Sequence, residues 1–370
     1  MATYQRIPFK QEGVEFVTKR AAFSTKDFDI PIMDYPITPV ENFKLSWKNK
    51  TPAWAPVNMM DYDSVRVTYA GATGSPMMGG DERVEYTDDW GCEWVYVPVA
   101  GGSMLKPGTQ FLEDITQWRE KVKFPDWKSR DYETPAEEFH ANRRNKDTVL
   151  AINLGQGCTE RLVALLGGYT EAMIAMAEEP EAVLDFLHAF ADNLLERYDI
   201  IKALYPTVNL ITYHDDWGTE RDTFFSESFF ESMVWAPTKK IIDHIKASGD
   251  ICFELHSCGK IERFMPYILD LGVNLLQIQR RANDMPMLKE KYGDRIGFCC
   301  MLEGVSADVP ITKEERMAKI RQTIDLYGKS GGIYLTLGAP PDPETMWDSC
   351  YEAYCYSREY YDKERGAELA

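Results

Sequence analysis

From about residue 147 onward the chain alternates short, near-continuously apolar runs with longer segments whose apolar positions recur every three or four residues. The runs are TVLAINL (148–154), VNLITY (208–213), ICFEL (251–255), VNLLQIQ (273–279), IGFCCML (296–302) and IYLTL (333–337). A run that is apolar at nearly every position, rather than at alternate ones, predicts a strand covered on both faces, as in a parallel sheet flanked by helices. The intervening segments carry helix signals. Pro180 stands at a first helical position, followed by Val183, Leu187, Phe190, Leu194, Tyr198 and Ile201 on one face. Thr312 and Glu315 have the spacing of a capping box before Met317, Ile320 and Ile324, and YGKSGG closes that helix. This alternation predicts an α/β fold, with a closed (β/α)8 TIM-like barrel as the simplest way to bury so many parallel strands. An open doubly wound sheet is the alternative, but no glycine-rich nucleotide loop follows an early strand.

The first 146 residues are less regular. PAWAPVNM (52–59) is the expected first barrel strand. The stretch 73–102 is turn-rich with aromatic alternation and predicts a β-rich insertion; within it Asp88-Asp89-Trp90-Gly91 reads as a turn. Residues 123–139 read as a loop entering a helix. The expected organisation is one domain over 1–370: an irregular, partly β N-terminal elaboration with an extension over 1–51, then the barrel over 52–360 with its insertion around 73–102.

Composition narrows the function classes. No run of eighteen or more apolar residues predicts a membrane helix, and MATYQRIPFKQEGVEF lacks the basic-then-apolar pattern of an export signal, so a soluble cytoplasmic protein is expected. The 41 basic against 59 acidic residues give a net charge of −18, which argues against nucleic acid and anionic membranes as partners. Eight scattered cysteines in such a chain predict reduced thiols, a few of them metal ligands. Nine Trp, twenty Tyr and sixteen Met supply flat and polarizable surface, mostly for the core but also for a pocket receiving a planar ligand.

In a parallel barrel the loops after the strand C-termini build the active site. The strand exits here are rich in donors: His214, Asp215 and Asp216 after 208–213; His256 and Cys258 after 251–255; Gln277 and Gln279 in 273–279; Cys299, Cys300 and Glu303 after 296–302. His256-Ser257-Cys258 is the sharpest signal, because an imidazole and a thiolate two residues apart at a turning strand end can share one Zn²⁺. A catalytic zinc site needs a third protein ligand, and Cys300, Cys299, Glu303, Asp215 and Glu254 are available. Strand alternation lets only one of Cys299 and Cys300 point inward; Cys300, nearer the exit, is the expected one. Asp215 and Asp216 are candidates for base catalysis, for orienting a ligand or for supporting a metal-bound His, against a plain helix-capping role. Gln277 and Gln279, with His214, are expected to line the substrate pocket.

Three stretches carry a family resemblance: ITYHDDWGTERDTFFSESFFESMVWAPTKKIIDHIK, FELHSCGKIERFMPYILDLGVNLLQIQ and IYLTLGAPPDPETMWDS. They resemble the uroporphyrinogen decarboxylase-like superfamily, and within it the corrinoid-dependent methyltransferase branch that includes methylcobamide:coenzyme M and O-demethylase enzymes. The resemblance spans most of residues 52–360, with His-x-Cys-Gly its most specific part. It implies a (β/α)8 barrel, and zinc held by His256, Cys258 and a later Cys beside the cobalt of a corrinoid supplied by a partner protein. The family's later Cys follows a Gly after the last strand, where this chain has Gly338-Ala339, so the third ligand is expected at Cys300, Glu303 or Asp215. The Arg-rich N-terminal motif of genuine uroporphyrinogen decarboxylases has no counterpart in this chain, which argues against porphyrinogen decarboxylation.

The leading expectation is methyl transfer from a small methoxylated aromatic compound to the Co(I) of a corrinoid-binding protein, with zinc as Lewis acid on the ether oxygen. Transfer in the other direction, from methyl-corrinoid to a thiol or to tetrahydrofolate, is the second reading. A corrinoid- or tetrapyrrole-binding protein without catalysis is the third.

Overall fold

The structure is a computed structural model, and it describes residues 4–20, 26–65, 67–72, 82–98, 102–143, 146–302, 305 and 310–368. Near the N-terminus, β1 (Phe16–Arg20) and β2 (Asp27–Pro31) pair antiparallel. Then comes β3 (Tyr62–Val65), and an antiparallel three-stranded sheet of β4 (Val84–Thr87), β5 (Glu93–Val97) and β6 (Gly102–Leu105). The remaining strands are β7 (Val149–Gln156), β8 (Leu210–His214), β9 (Cys252–Ser257), β10 (Leu275–Ile278), β11 (Gly297–Met301) and β12 (Ile333–Thr336). They join β3 in one parallel sheet of order β3-β7-β8-β9-β10-β11-β12.

The six apolar runs of the sequence are the last six of these strands. The ring is brought round where Val57 bridges Leu335 in parallel sense and the Leu335 N–H donates to Pro56 O at 2.7 Å. Here the structure corrects the sequence: the first long strand is Tyr62–Val65, and from PAWAPVNM only Val57 takes a bridge. Pro52 and Pro56 have no N–H to give a ladder. Their neighbours bond to side chains instead: Asn42 Oδ1 accepts the Ala53 N–H at 2.7 Å, and Asp61 accepts the Val57 N–H at 2.7 Å and the Trp54 indole N–H at 3.0 Å.

Alternation along the strands sorts side chains into two cores. Tyr62, Val149, Ala151, Leu210, Cys252, Leu275, Cys299 and Tyr334 fill the barrel interior with Phe43. Leu150, Ile211, Phe253, Leu276, Phe298, Cys300 and Leu335 face the surrounding helices. Those helices include Pro180–Leu204, with its proline at the start, and Lys313–Tyr327, whose Thr312–Glu315 capping box is formed on both sides. Before the helix Trp235–Ala247 the chain runs through a π-turn, Phe230–Val234. Pro237 accounts for it, since a proline ring displaces the carbonyl four residues earlier, that of Met233.

Asp88 organises the expected turn in the insertion. It accepts the backbone N–H of Trp90 and of Cys92 at 2.9 Å, the Trp94 indole N–H at 2.9 Å, and the buried Arg161 guanidinium at 2.7 Å. That last bond fastens the β4–β6 sheet to the helix following β7. The N-terminal segment lies along the final helix, Pro343–Glu368: Tyr4 donates to Asp362 at 2.6 Å, Arg6 pairs with Glu352 at 2.7 Å, and the Trp347 indole donates to Ile7 O at 2.9 Å. Among the described residues no helix is long and apolar enough to cross a membrane.

Candidate metal centre

Strands β7, β8 and β9 deliver the site. Their exits are tied by backbone bonds, Gly157 N–H to His214 O at 2.6 Å and Asp215 N–H to His256 O at 3.0 Å. In the β8–β9 register His214 lies directly opposite His256. Side chains at opposed positions of parallel strands point the same way. The two imidazoles therefore stack, with centroids 4.1 Å apart and planes 10° from parallel. One donor atom each from His214, Asp216 and His256 lie within 4.8 Å of one another.

Each imidazole is held through Nδ1. His256 Nδ1 meets Gln277 Oε1 at 2.8 Å, while the Gln277 amide nitrogen faces Cys299 Sγ at 3.7 Å. Since an amide oxygen only accepts, His256 carries its proton on Nδ1 and offers the Nε2 lone pair. Burial, then the charge of His214, pushes the His256 pKa down to about 4, which keeps that lone pair free at neutral pH. His214 Nδ1 meets Glu160 Oε2 at 2.7 Å. Burial works against charge on His214, but the Glu160 bond and charge outweigh it and raise its pKa to about 9. Burial likewise raises Glu160 to about 7 against the pull of His214. At neutral pH His214 therefore holds a proton on Nδ1, donated to Glu160, and a second on Nε2, and a cation at Nε2 would have to displace that second proton.

Cys258 lies beside His256, outside the mutually close trio. Its N–H donates to Asp216 Oδ1 at 2.6 Å, and its Sγ lies 3.5 Å from His256 Nε2. Zinc bonds of ~2.05 Å to nitrogen and ~2.3 Å to sulfur at a tetrahedral angle require an N···S edge of about 3.5 Å. The pair is thus already spaced as two ligands of one ion. Burial, then the negative charge of Asp216, pushes the Cys258 thiol up to about 12, so a cation is what would ionise it. His214, Asp216, His256 and Cys258 are donors of the kinds zinc accepts, and the residues present fit such an ion.

The remaining expected residues fall elsewhere. Asp215 is fully buried and accepts the N–H groups of Thr159 at 3.3 Å and Glu160 at 3.0 Å and the Trp217 indole at 3.0 Å. It caps the helix Cys158–Leu166 from outside, and so aims Glu160 at His214. The approach is close: a Cβ on Gly157 would sit 2.5 Å from that of Asp215. Of the roles expected for Asp215, helix capping is the one its hydrogen bonds perform. Gln277 supports His256 as described, and Gln279 Oε1 accepts the Gly259 N–H at 3.1 Å, fixing the turn after Cys258. His214 and Asp216 sit among the metal-type donors rather than in a separate substrate wall.

Cys300 is not brought to the site. It is buried toward the helices, its Sγ against Phe298 O at 3.8 Å, and the inward member of the pair is Cys299. Glu254 is buried inside the barrel below the mouth, where its carboxylate meets Thr212 at 2.7 Å and the Tyr334 hydroxyl at 2.5 Å. Glu303 lies outside the described residues. The residue missed from sequence is Glu160. Its signal was available, because GQGCTE directly follows the 148–154 run and is a strand exit like the others.

Residues 148–329 match the uroporphyrinogen decarboxylase (URO-D) family, a stretch that contains His214, Asp216, His256 and Cys258. A stretch of 89 residues is 34% identical to a methionine synthase of Methanothermobacter thermautotrophicus; it covers 23% of this chain and 27% of that protein, so the likeness spans about a quarter of that relative. Among solved structures, a methyltransferase from Methanosarcina mazei superposes with a TM-score of 0.60 at 12% identity, over 88% of this chain and 99% of that one. At that identity the superposition speaks for the fold. Over residues 148–329 the family match agrees with the uroporphyrinogen decarboxylase-like resemblance read from the sequence.

Proposed function

We propose, starting from the match of residues 148–329 to the uroporphyrinogen decarboxylase family, that the protein is a corrinoid-dependent methyltransferase that takes methyl from a methoxylated aromatic compound. The acceptor is the Co(I) of a corrinoid on a separate protein. In that transfer the O–CH₃ bond breaks, its electron pair stays on the oxygen, and Co(I) supplies the pair for the new bond to methyl. A divalent ion held at the metal-type donors, zinc by their chemistry, would supply a Lewis acid for the oxygen that keeps the pair. His256 and Cys258 would hold it with His214 and Asp216; Gln277 and Glu160 fix the two imidazoles, and Asp215 holds the backbone that positions Glu160. The observation that carries the reading is the 3.5 Å spacing of His256 Nε2 and Cys258 Sγ beside a further imidazole and carboxylate.

The test pairs element analysis of the purified protein with methyl transfer from a panel of methoxybenzenes to Co(I) corrinoid, followed by the corrinoid absorbance. We expect about one zinc per chain, lost in His256→Ala together with transfer. A zinc-loaded protein silent across the panel would overturn the aromatic-ether reading. The stretch shared with a methionine synthase favours a second reading, the reverse flow from methyl-corrinoid to a thiol or to tetrahydrofolate. Product analysis with methylcobalamin and those acceptors separates the two.

A further inference from the structure

Tyr169, at the start of a helix in the segment after β7, and Phe224, in the loop after β8, stack their rings with centroids 4.3 Å apart and planes 21° from parallel. Both are fixed by backbone. Tyr169 opens the helix Tyr169–Glu178 after Gly167, whose left-handed φ of 87° turns the chain where a Cβ would come within 3.0 Å of Thr109 O. Phe224 donates its N–H to Trp217 O at 2.9 Å, and the neighbouring Thr223 bridges Gly218, in the loop that leaves Asp216. Despite the stacking, Tyr169 remains 38% exposed, and its hydroxyl has no partner among the described residues. Phe224, bonded to Trp217 next to Asp216, is what sets the stacked pair near the metal-type donors; burial and then the charges of Asp216, Glu160, Asp215 and Cys258 hold the phenol well above its ordinary pKa.

A rigid aromatic pair with an accessible ring beside a donor cluster is suited to extend its stack to one more flat ring. We propose that Tyr169, backed by Phe224, is the platform on which the ring of a planar ligand lies beside the metal centre, so that Tyr169 is a positioning and selectivity residue. This rests on the reading of the site given above.

The experiment measures binding of guaiacol and of 2-mercaptoethanol to zinc-loaded protein by calorimetry, in the wild type, Tyr169→Ala and Tyr169→Phe, with metal content and circular dichroism as controls of folding. Loss of one aromatic partner corresponds to a factor of about two to ten in affinity. Tyr169→Ala is expected to weaken guaiacol by about that factor and leave the thiol and the zinc content unchanged, whereas Tyr169→Phe restores guaiacol. Equal weakening of both ligands, no weakening of guaiacol, or a wild type that binds no guaiacol overturns the platform. If guaiacol binds through Tyr169 but no methyl is transferred, the proposed reaction fails and the platform stands. If methyl is transferred and Tyr169→Ala leaves the guaiacol KM unchanged, the reverse holds.

Discussion

Asp215 and Asp216 are neighbours in sequence and do different work. Asp215 gives its oxygens to two amides at a helix start and to an indole, all in the dry interior. Asp215→Ala orphans those donors and should cost about 3 kcal/mol of stability, read as a lower urea midpoint at an unchanged slope. Asp216 accepts one amide at the rim and belongs to the donor cluster. Asp216→Ala should therefore change the unfolding midpoint much less and the metal content much more; the opposite ranking would mean the roles are exchanged. Gln277 acts one step further from the ion. Gln277→Ala frees the His256 ring and should weaken zinc binding by about 10- to 100-fold in chelator competition, while Gln277→Glu, which still accepts from Nδ1, should retain it.

At the scale of elements, the apolar runs foretold six of the seven barrel strands, because a strand buried on both faces leaves its mark in its own residues. What happens between strands leaves no such mark. The parity that turns Cys299 inward and Cys300 outward, and the register that stacks His214 on His256, depend on how neighbours align. The His-x-Cys pair was legible because both residues sit on one strand end; the further donors were visible as residue types but not as ligands. Cys300→Ala should accordingly leave the zinc content intact, whereas Cys258→Ala should lower it; zinc loss in Cys300→Ala would contradict the observed parity. Loop contacts also escape sequence reading. Gly259, at φ 82°, lies so close to Gly218 that a Cβ would come within 2.1 Å of the Gly218 carbonyl carbon, so the turn after Cys258 and the loop after Asp216 meet backbone to backbone. In the insertion, Asp88→Ala would leave the Arg161 guanidinium buried without its carboxylate. A loss of roughly 3–5 kcal/mol is expected from a broken buried pair, measurable as a fall in melting temperature.

The whole molecule is closed near Asp61, which is fully buried while holding Val57 and Trp54 beside the Pro56–Leu335 contact. Burial raises its pKa to about 6. The folded protein therefore binds the Asp61 proton more tightly than the unfolded chain does. The stabilisation from that proton is complete below about pH 4 and is lost as the pH rises through about 6. Asp61→Asn should gain on the wild type over that window, by an amount on the order of 3 kcal/mol, in denaturation curves taken at pH 4, 5, 6 and 7. A pH-independent difference between the two proteins would remove Asp61 from this role. The strapping of the first residues onto the last helix has a consequence for how the molecule comes into being. Some 340 residues of chain separate Ile7 from Trp347, so the contacts of Tyr4, Arg6 and Ile7 with the helix carrying Trp347, Glu352 and Asp362 form only after that helix has been made. Removing residues 4–7 should thus loosen the final helix, and cutting that helix short should free residues 4–7 for proteolysis.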